Sequence, residues 1–249
     1  MHDTPKLEEQ VASKVIKTTI ASQVDAAEEI DVDIQTNLLK LILGKADAIE
    51  FAGKGLVMQK DIRLQEIKVQ ANHVDIDALS IFSGHIELDK PIDATANIVM
   101  TEPDLNRALN SEYVRKKARN LKFNLDGQPV ILEMQQMQLN LPGDNKAIFN
   151  GKTLLHEKGE TQSVGFTSTF RPRTQKQPVI VENFQCDRGQ GIPFVTSVAL
   201  MQKIKEWLEL PYFNLEGIAL RVQEMIVQTG QISLKIQIRM KQLPKNLAA

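Results

Sequence analysis

The segment Ile192–Leu210, IPFVTSVALMQKIKEWLEL, decides how the rest of the chain is read. Phe194, Val198, Met201, Ile204 and Leu208 recur at steps of three and four, the spacing of one face of an α-helix. Val195, Ala199, Trp207 and Leu210 widen that stripe until only Gln202, Lys203, Lys205, Glu206 and Glu209 are left for water. A helix apolar over so much of its surface must be enclosed. Pro193 suits its first turn and Pro211 its stop. The remaining elements are therefore expected to wrap it.

Most of them read as β-strand. A first helix, capped by Thr4 with Pro5 at its start, carries Leu7, Val11, Val15, Ile16, Ile20 and Val24 on one side. A strand over Ile30–Gln35 alternates apolar and polar residues, and Asn37–Leu43 is a short greasy turn closed by Gly44. Paired strands are expected at Asp47–Gln59 and Asp61–Gln70. Val74–Ile76 and the second greasy run Leu79–Ser83, ended by Gly84, weakly echo the same plan. Ile92–Met100 is a strand leading into a helix from Glu102 to Arg119. Further strands follow at Leu121–Leu125, Val130–Leu141, Ala147–His156, Ser163–Phe170 and Val179–Phe184. Leu215–Gln228 and Gln231–Met240 close the chain as a hairpin turning at Thr229-Gly230. The last strand has one dry face and one wet face, so the sheet should be mainly antiparallel.

Two strands change phase. Val130, Leu132 and Met134 are even, whereas Met137, Leu139 and Leu141 are odd. Ile62 and Leu64 likewise give way to Ile67 and Val69. Each slip, at Gln135-Gln136 and at Gln65-Glu66, predicts a β-bulge, which bends a strand. A bent antiparallel sheet with its dry face inward can curl around a helix. No Pro/Ser/Gly-rich linker interrupts the chain, so one domain over 1–249 is expected.

Composition narrows the function classes. Of 249 residues, 42% are hydrophobic and 24% charged, as in globular proteins, and the net charge of −1 gives no global attraction to nucleic acid. The lone Cys186 excludes an internal disulfide. No run approaches the ~18 apolar residues of a membrane-spanning helix. The acidic N-terminus, MHDTPKLEEQ, does not resemble a signal peptide, so a cytoplasmic location, peripheral at a membrane, is expected. His2, His73, His85 and His156 are scattered, and no nucleophile elbow, P-loop or dinucleotide fingerprint is present. No catalytic residue, metal or cofactor is expected. Arg115, Lys116, Lys117 and Arg119 cluster at a helix end. There they complement the helix dipole, or contact anionic headgroups; the dipole reading is the simpler.

Gly84–Tyr113, GHIELDKPIDATANIVMTEPDLNRALNSEY, resembles the bacterial LmeA-like phospholipid-binding family, most tellingly at Thr101–Leu109. Leu38–Met58 and Leu200–Val227 resemble its first strand region and its C-terminal part, in the manner of cyanobacterial members. The resemblance implies an α+β fold similar to tubular lipid-binding (TULIP-like) proteins. In these a strongly curved, mainly antiparallel sheet wraps amphipathic helices around an elongated apolar cavity. It also implies phospholipid or another membrane lipid as partner, in lipid transport or membrane-lipid homeostasis, and no catalytic set. The lining expected on this basis is Leu38, Leu41, Ile42, Leu79, Phe82, Phe194, Val198, Met201, Trp207, Leu208 and Phe213. The competing reading is a non-enzymatic scaffold with the same fold and a filled core, its greasy turns serving as a docking surface.

Overall fold

Alternating side chains sort each strand onto two faces, and the computed structural model shows what each face meets. It describes residues 7–76, 88–118, 121–125, 128–157, 159–186, 197–199, 201–202, 212–215 and 218–241. The chain divides into two compact units, residues 1–100 with 211–223 and 233–249, and residues 101–210 with 224–232.

In the first unit, α1 (Leu7–Ala21) lies against β1 (Glu29–Gln35). Ile30, Val32 and Ile34 are buried beneath Ile16, Ile20 and Val24, the expected stripe, together with Ile49 and Phe51 of β2 (Lys45–Met58). Full burial of such side chains contributes about 1.5–3 kcal/mol each, which explains why alternation alone locates β1. Between these strands sits α2 (Leu38–Ile42), closed by Gly44 at φ +70°. Then follow β3 (Ile62–Asp75) and β4 (Ile92–Thr101). Late in the chain come β10 (Tyr212–Leu215), β11 (Ile218–Gln228) and β12 (Gln231–Met240). The sheet order is β1-β2-β3-β4-β12-β11-β10. Gly230, at φ +76°, turns the β11–β12 hairpin as expected.

Three expectations need correction here. Val74–Ile76 is no separate strand, because β3 runs on to Asp75 paired with Lys45. The Leu215–Gln228 strand is split into β10 and β11, which pair with each other in antiparallel register. The phase change at Gln65-Glu66 contains no bulge: Leu64 pairs with Leu56, Glu66 with Lys54 and Ile67 with Gly53 in unbroken register. Gly55, at φ +59° opposite that step, instead breaks the pleat without adding a residue. Both strands change faces together, burying Leu56 and Leu64 on the far side of the step.

The second unit is built on the sheet β5-β6-β7-β8-β9, with every neighbour antiparallel. Its strands are β5 (Leu121–Leu125), β6 (Gln128–Gly143), β7 (Lys146–Glu157), β8 (Glu160–Arg171) and β9 (Ile180–Cys186). The expected bulge in β6 is present: Met134 pairs with Thr153 and Gln136 with Lys152, leaving Gln135 as the extra residue. Met134 and Met137 thereby both enter the core with Val130, Leu132, Leu155, Val164 and Phe166.

The helix expected from Glu102 to Arg119 is two helices, α3 (Glu102–Leu109) and α4 (Glu112–Ala118). Thr101 caps α3 by accepting from the Asp104 N–H at 3.3 Å, and its hydroxyl donates to the Asp104 carboxylate at 2.8 Å. Asn110 and Ser111 interrupt the continuation. The Asn110 amide donates to the carbonyls of Asn106 and Met137, and the Ser111 hydroxyl accepts from the Val114 N–H, starting α4.

The polar side of α3 has a structural task. Beyond β5, the outer edge of β6 pairs with no strand among the described residues, and Met137, Leu139 and Leu141 turn backbone groups to it. Glu102 accepts from the Leu141 N–H at 2.6 Å. Asn106 accepts from the Leu139 N–H at 2.7 Å and donates to the Leu139 carbonyl at 2.8 Å. Asn110 donates to the Met137 carbonyl at 2.7 Å, and the Gly230 N–H to the Leu141 carbonyl at 2.9 Å. One helix stripe at steps of four thus closes a sheet edge.

Candidate functional site

Two places stand out, one apolar and enclosed, the other apolar and exposed. The enclosed one is the inner face of the second unit's sheet. Phe149 of β7, Phe166 of β8 and Phe184 of β9 bring three rings together there. Phe149 and Phe166 are tilted with centroids 5.7 Å apart, and Phe166 and Phe184 are stacked at 5.8 Å. Gly151 makes room for the middle ring: a Cβ at that position would lie 2.3 Å from Phe166 Cζ. Phe166 is buried, while Phe149, Phe184 and Cys186 remain half-buried at the margin. Ala199, from the enclosed helix of the sequence reading, packs against the buried core cluster that contains Phe166. Two buried hydroxyls lie on the same face. Thr153 donates to the Glu133 carbonyl, whereas Ser168 Oγ has no hydrogen-bond partner among the described residues.

The exposed place is α2. Leu39 is 75% exposed, and Ile42 and Leu43 64% each. These residues stand at i, i+3 and i+4, one outward face of a single turn. Their carrier is firmly tied: Asn37 caps it through the Lys40 N–H, and Thr36 Oγ1 donates to the Lys45 carbonyl at 2.8 Å. Lys40 Nζ reaches both Asp47 carboxylate oxygens at 2.6 and 2.7 Å, and the Ile76 N–H donates to the Gly44 carbonyl at 2.7 Å.

A third feature is polar. A depression of about 210 Å³ lies on the outer face of β1–β3, lined by Glu29, Asp31, Lys54, Glu66 and Lys68 around Ala52-Gly53. The Lys54–Glu29 hydrogen bond, 2.8 Å long, holds the Glu29 carboxyl below its ordinary pKa and raises the Lys54 ammonium. Such a charged, open surface offers nothing to an acyl chain. No group of three or more His, Cys, Asp or Glu among the described residues could hold a metal ion. Among the same residues no helix is long and apolar enough to cross a membrane.

The expected lining is only partly within view. Leu79, Phe82, Phe194, Trp207, Leu208 and Arg119 lie outside the described residues. Leu38 and Leu41 belong to α2, Phe213 to β10 and Lys117 to α4, with their side chains outside the description. Ile42 is exposed, Val198 and Met201 are helical and half-buried, and Arg115 and Lys116 are exposed on α4. Ile42 and Phe213 fall in the first unit and Val198 and Met201 in the second, so neither unit holds the whole expected lining. Leu39 and Leu43 were not in the expected lining, although the run Leu38–Leu43 was expected as an exposed docking segment. Sequence reasoning missed Phe149, Phe166 and Phe184, whose meeting depends on strand register.

A family model described as LmeA-like phospholipid-binding matches residues 6–237. No curated protein and no solved structure was found to match the chain.

Proposed function

The chain belongs to the LmeA-like phospholipid-binding family, and from that premise we propose that it holds the acyl chains of a phospholipid in an apolar interior. The family match, spanning nearly the whole chain, is the observation that carries this reading. In this proposal residues 1–249 act as one TULIP-like lipid-binding domain whose sheets wrap the Ile192–Leu210 helix. The protein works by sequestration and transfer of lipid rather than by chemistry. Each methylene taken out of water contributes about 0.8 kcal/mol, so an apolar lining suffices without a reactive group. Val198 and Met201, with Ala199 packed on the core cluster that contains Phe166, supply part of that lining. The Ser168 hydroxyl, without a hydrogen-bond partner among the described residues, suits an ester oxygen of the lipid. Leu38, Leu41, Leu79, Phe82, Phe194, Trp207, Leu208 and Phe213 complete the proposed contacts, whereas Ile42, 64% exposed, faces outward. Arg115, Lys116, Lys117 and Arg119 are proposed to meet headgroups at the membrane surface.

One observation favours the second reading, a scaffold with a filled core. Val130, Leu132, Val164 and Phe166 are packed shut against one another, each at most 2% exposed. Denaturing extraction of the purified protein followed by lipid mass spectrometry separates the two. Stoichiometric phospholipid, and saturable uptake of an apolar fluorophore that phospholipid displaces, support the lipid reading. A protein repeatedly free of lipid that takes none from vesicles supports the scaffold.

A further inference from the structure

We propose that α2 is the element through which this protein touches a phospholipid bilayer, with Leu39, Ile42 and Leu43 entering the boundary between headgroups and acyl chains. The inference rests on the phospholipid reading above and adds to it the place of contact.

Exposure is the first observation. Leu39, Ile42 and Leu43 lie on one turn, whereas the other large exposed apolar residues among those described, Ile180 and Ile226, stand on separate strands. Leaving three such side chains in water is unfavourable, and a soluble fold ordinarily uses polar residues at a short connection between strands. Attachment is the second observation. The Asn37 cap, the Thr36–Lys45 hydrogen bond, the Lys40–Asp47 ion pair and the Ile76–Gly44 bond fix the turn from several sides. The apolar residues are therefore presented on a firm support.

Size and charge select the occupant. A stable protein partner needs roughly 800 Å² from each side, which three side chains on one turn do not supply. An interfacial helix needs only its apolar face, sunk about 5–10 Å into the bilayer boundary. Among the described residues, Lys40 on the turn pairs with Asp47, and Asp75, aligned with Lys45, pairs with Lys90. Paired charges complement zwitterionic headgroups, and neutralised carboxylates do not oppose entry. Insertion should thus be apolar in origin and insensitive to salt.

The test is co-sedimentation with phosphatidylcholine vesicles. Wild-type protein should bind, and raising salt from about 0.1 to about 1 M should leave binding intact, because screening weakens only charge-driven association. The exposed triple variant Leu39→Ser, Ile42→Ser, Leu43→Ser should lose on the order of a hundredfold in partitioning. Leu43→Cys in a Cys186→Ser background, labelled with an environment-sensitive fluorophore, should shift its emission to the blue on vesicle addition. Equal sedimentation of triple variant and wild type, or an unshifted label, overturns the proposal. So does wild-type binding that occurs only on anionic vesicles and is abolished by salt. So does a wild-type dimer that the triple variant converts to monomer, which would make a second copy the occupant. Lipid mass spectrometry on the same samples keeps the two readings apart. Lipid-loaded protein that ignores vesicles sinks the contact alone; lipid-free protein that binds them through α2 sinks only the interior cavity.

Discussion

Replacing Asn106 by Ala should destabilise the protein by about 2–3 kcal/mol, although Asn106 lies on the polar side of a short helix. The magnitude follows from its partners. Its amide accepts from the Leu139 N–H at 2.7 Å and donates to the Leu139 carbonyl at 2.8 Å. Leu139 is 7% exposed, so truncation strands two backbone groups with little access to water. Each buried unsatisfied group costs about 1–3 kcal/mol, and partial hydration at the strand edge lowers the total. Alanine's better helix propensity returns about 0.5 kcal/mol. Denaturant titration should show a lower midpoint at unchanged slope. Hydrogen exchange should show faster exchange at the Leu139 amide, with smaller effects at amides paired inside the sheet. Asn106→Asp, which keeps the acceptor and loses the donor, should fall between wild type and Asn106→Ala. A loss below about 0.5 kcal/mol, within the range of ordinary surface substitutions, would refute the edge-closing role, as would an unaltered Leu139 amide.

Gly151→Ala should cost about 1–3 kcal/mol by overpacking, because Phe166, held between Phe149 and Phe184, has no room to withdraw from a Cβ placed 2.3 Å from its ring; a thermal or denaturant midpoint reads this out. Lys60 sits at φ +64° in the β2–β3 turn, so Lys60→Gly should stabilise by about 0.5–1 kcal/mol through relief of left-handed strain, measured in the same way. Asp75 accepts a hydrogen bond from Lys90 at 2.7 Å, which lowers its carboxyl pKa from the ordinary 3.8. A depressed folded-state pKa stabilises above the unfolded value and loses that effect as pH falls through the folded one. Asp75→Asn should therefore lower the denaturation midpoint at neutral pH, and wild type and variant should converge only below pH 3.8. A difference that persists unchanged in strong acid would exclude this ion pair as its cause.

Where a face is decided by alternation and burial alone, the sequence was readable. The β1 stripe, the left-handed glycines after α2 and in the β11–β12 turn, and the bulge at Gln135 all follow from parity and turn chemistry. The two phase slips looked alike in sequence and have different causes. At Gln135 one strand gains a residue; at Gln65 the partner strand supplies Gly55 at φ +59°. Parity along a single strand records that the face changes, but the pairing partner determines how. The same limit applied to the helix read from Glu102 to Arg119. Its periodicity runs through Asn110 and Ser111, and the β6 edge, accepting the Asn110 amide at Met137, joins the Ser111 cap on the Val114 N–H in making a break favourable there.

The proposed site was less legible because its chemistry is apolar, and apolar residues look alike whether they build a core or receive a lipid. What separates the two is exposure in the folded chain. In the run LLKLIL, every residue but Lys40 is greasy, and nothing local marks Leu39, Ile42 and Leu43 as exposed. Their exposure is set by the Lys40–Asp47 ion pair and the Thr36 and Ile76 hydrogen bonds, which fix the rotation of α2 against β2. Conversely, Thr101–Leu109, the stretch that most resembles the family, caps a helix and closes a strand edge. A motif can therefore mark membership through the needs of the fold while the ligand is met elsewhere. In a family defined by binding lipid, polar positions tied to backbone partners are constrained by geometry. A proposed lipid contact need only be apolar, so it leaves the fainter trace in the sequence.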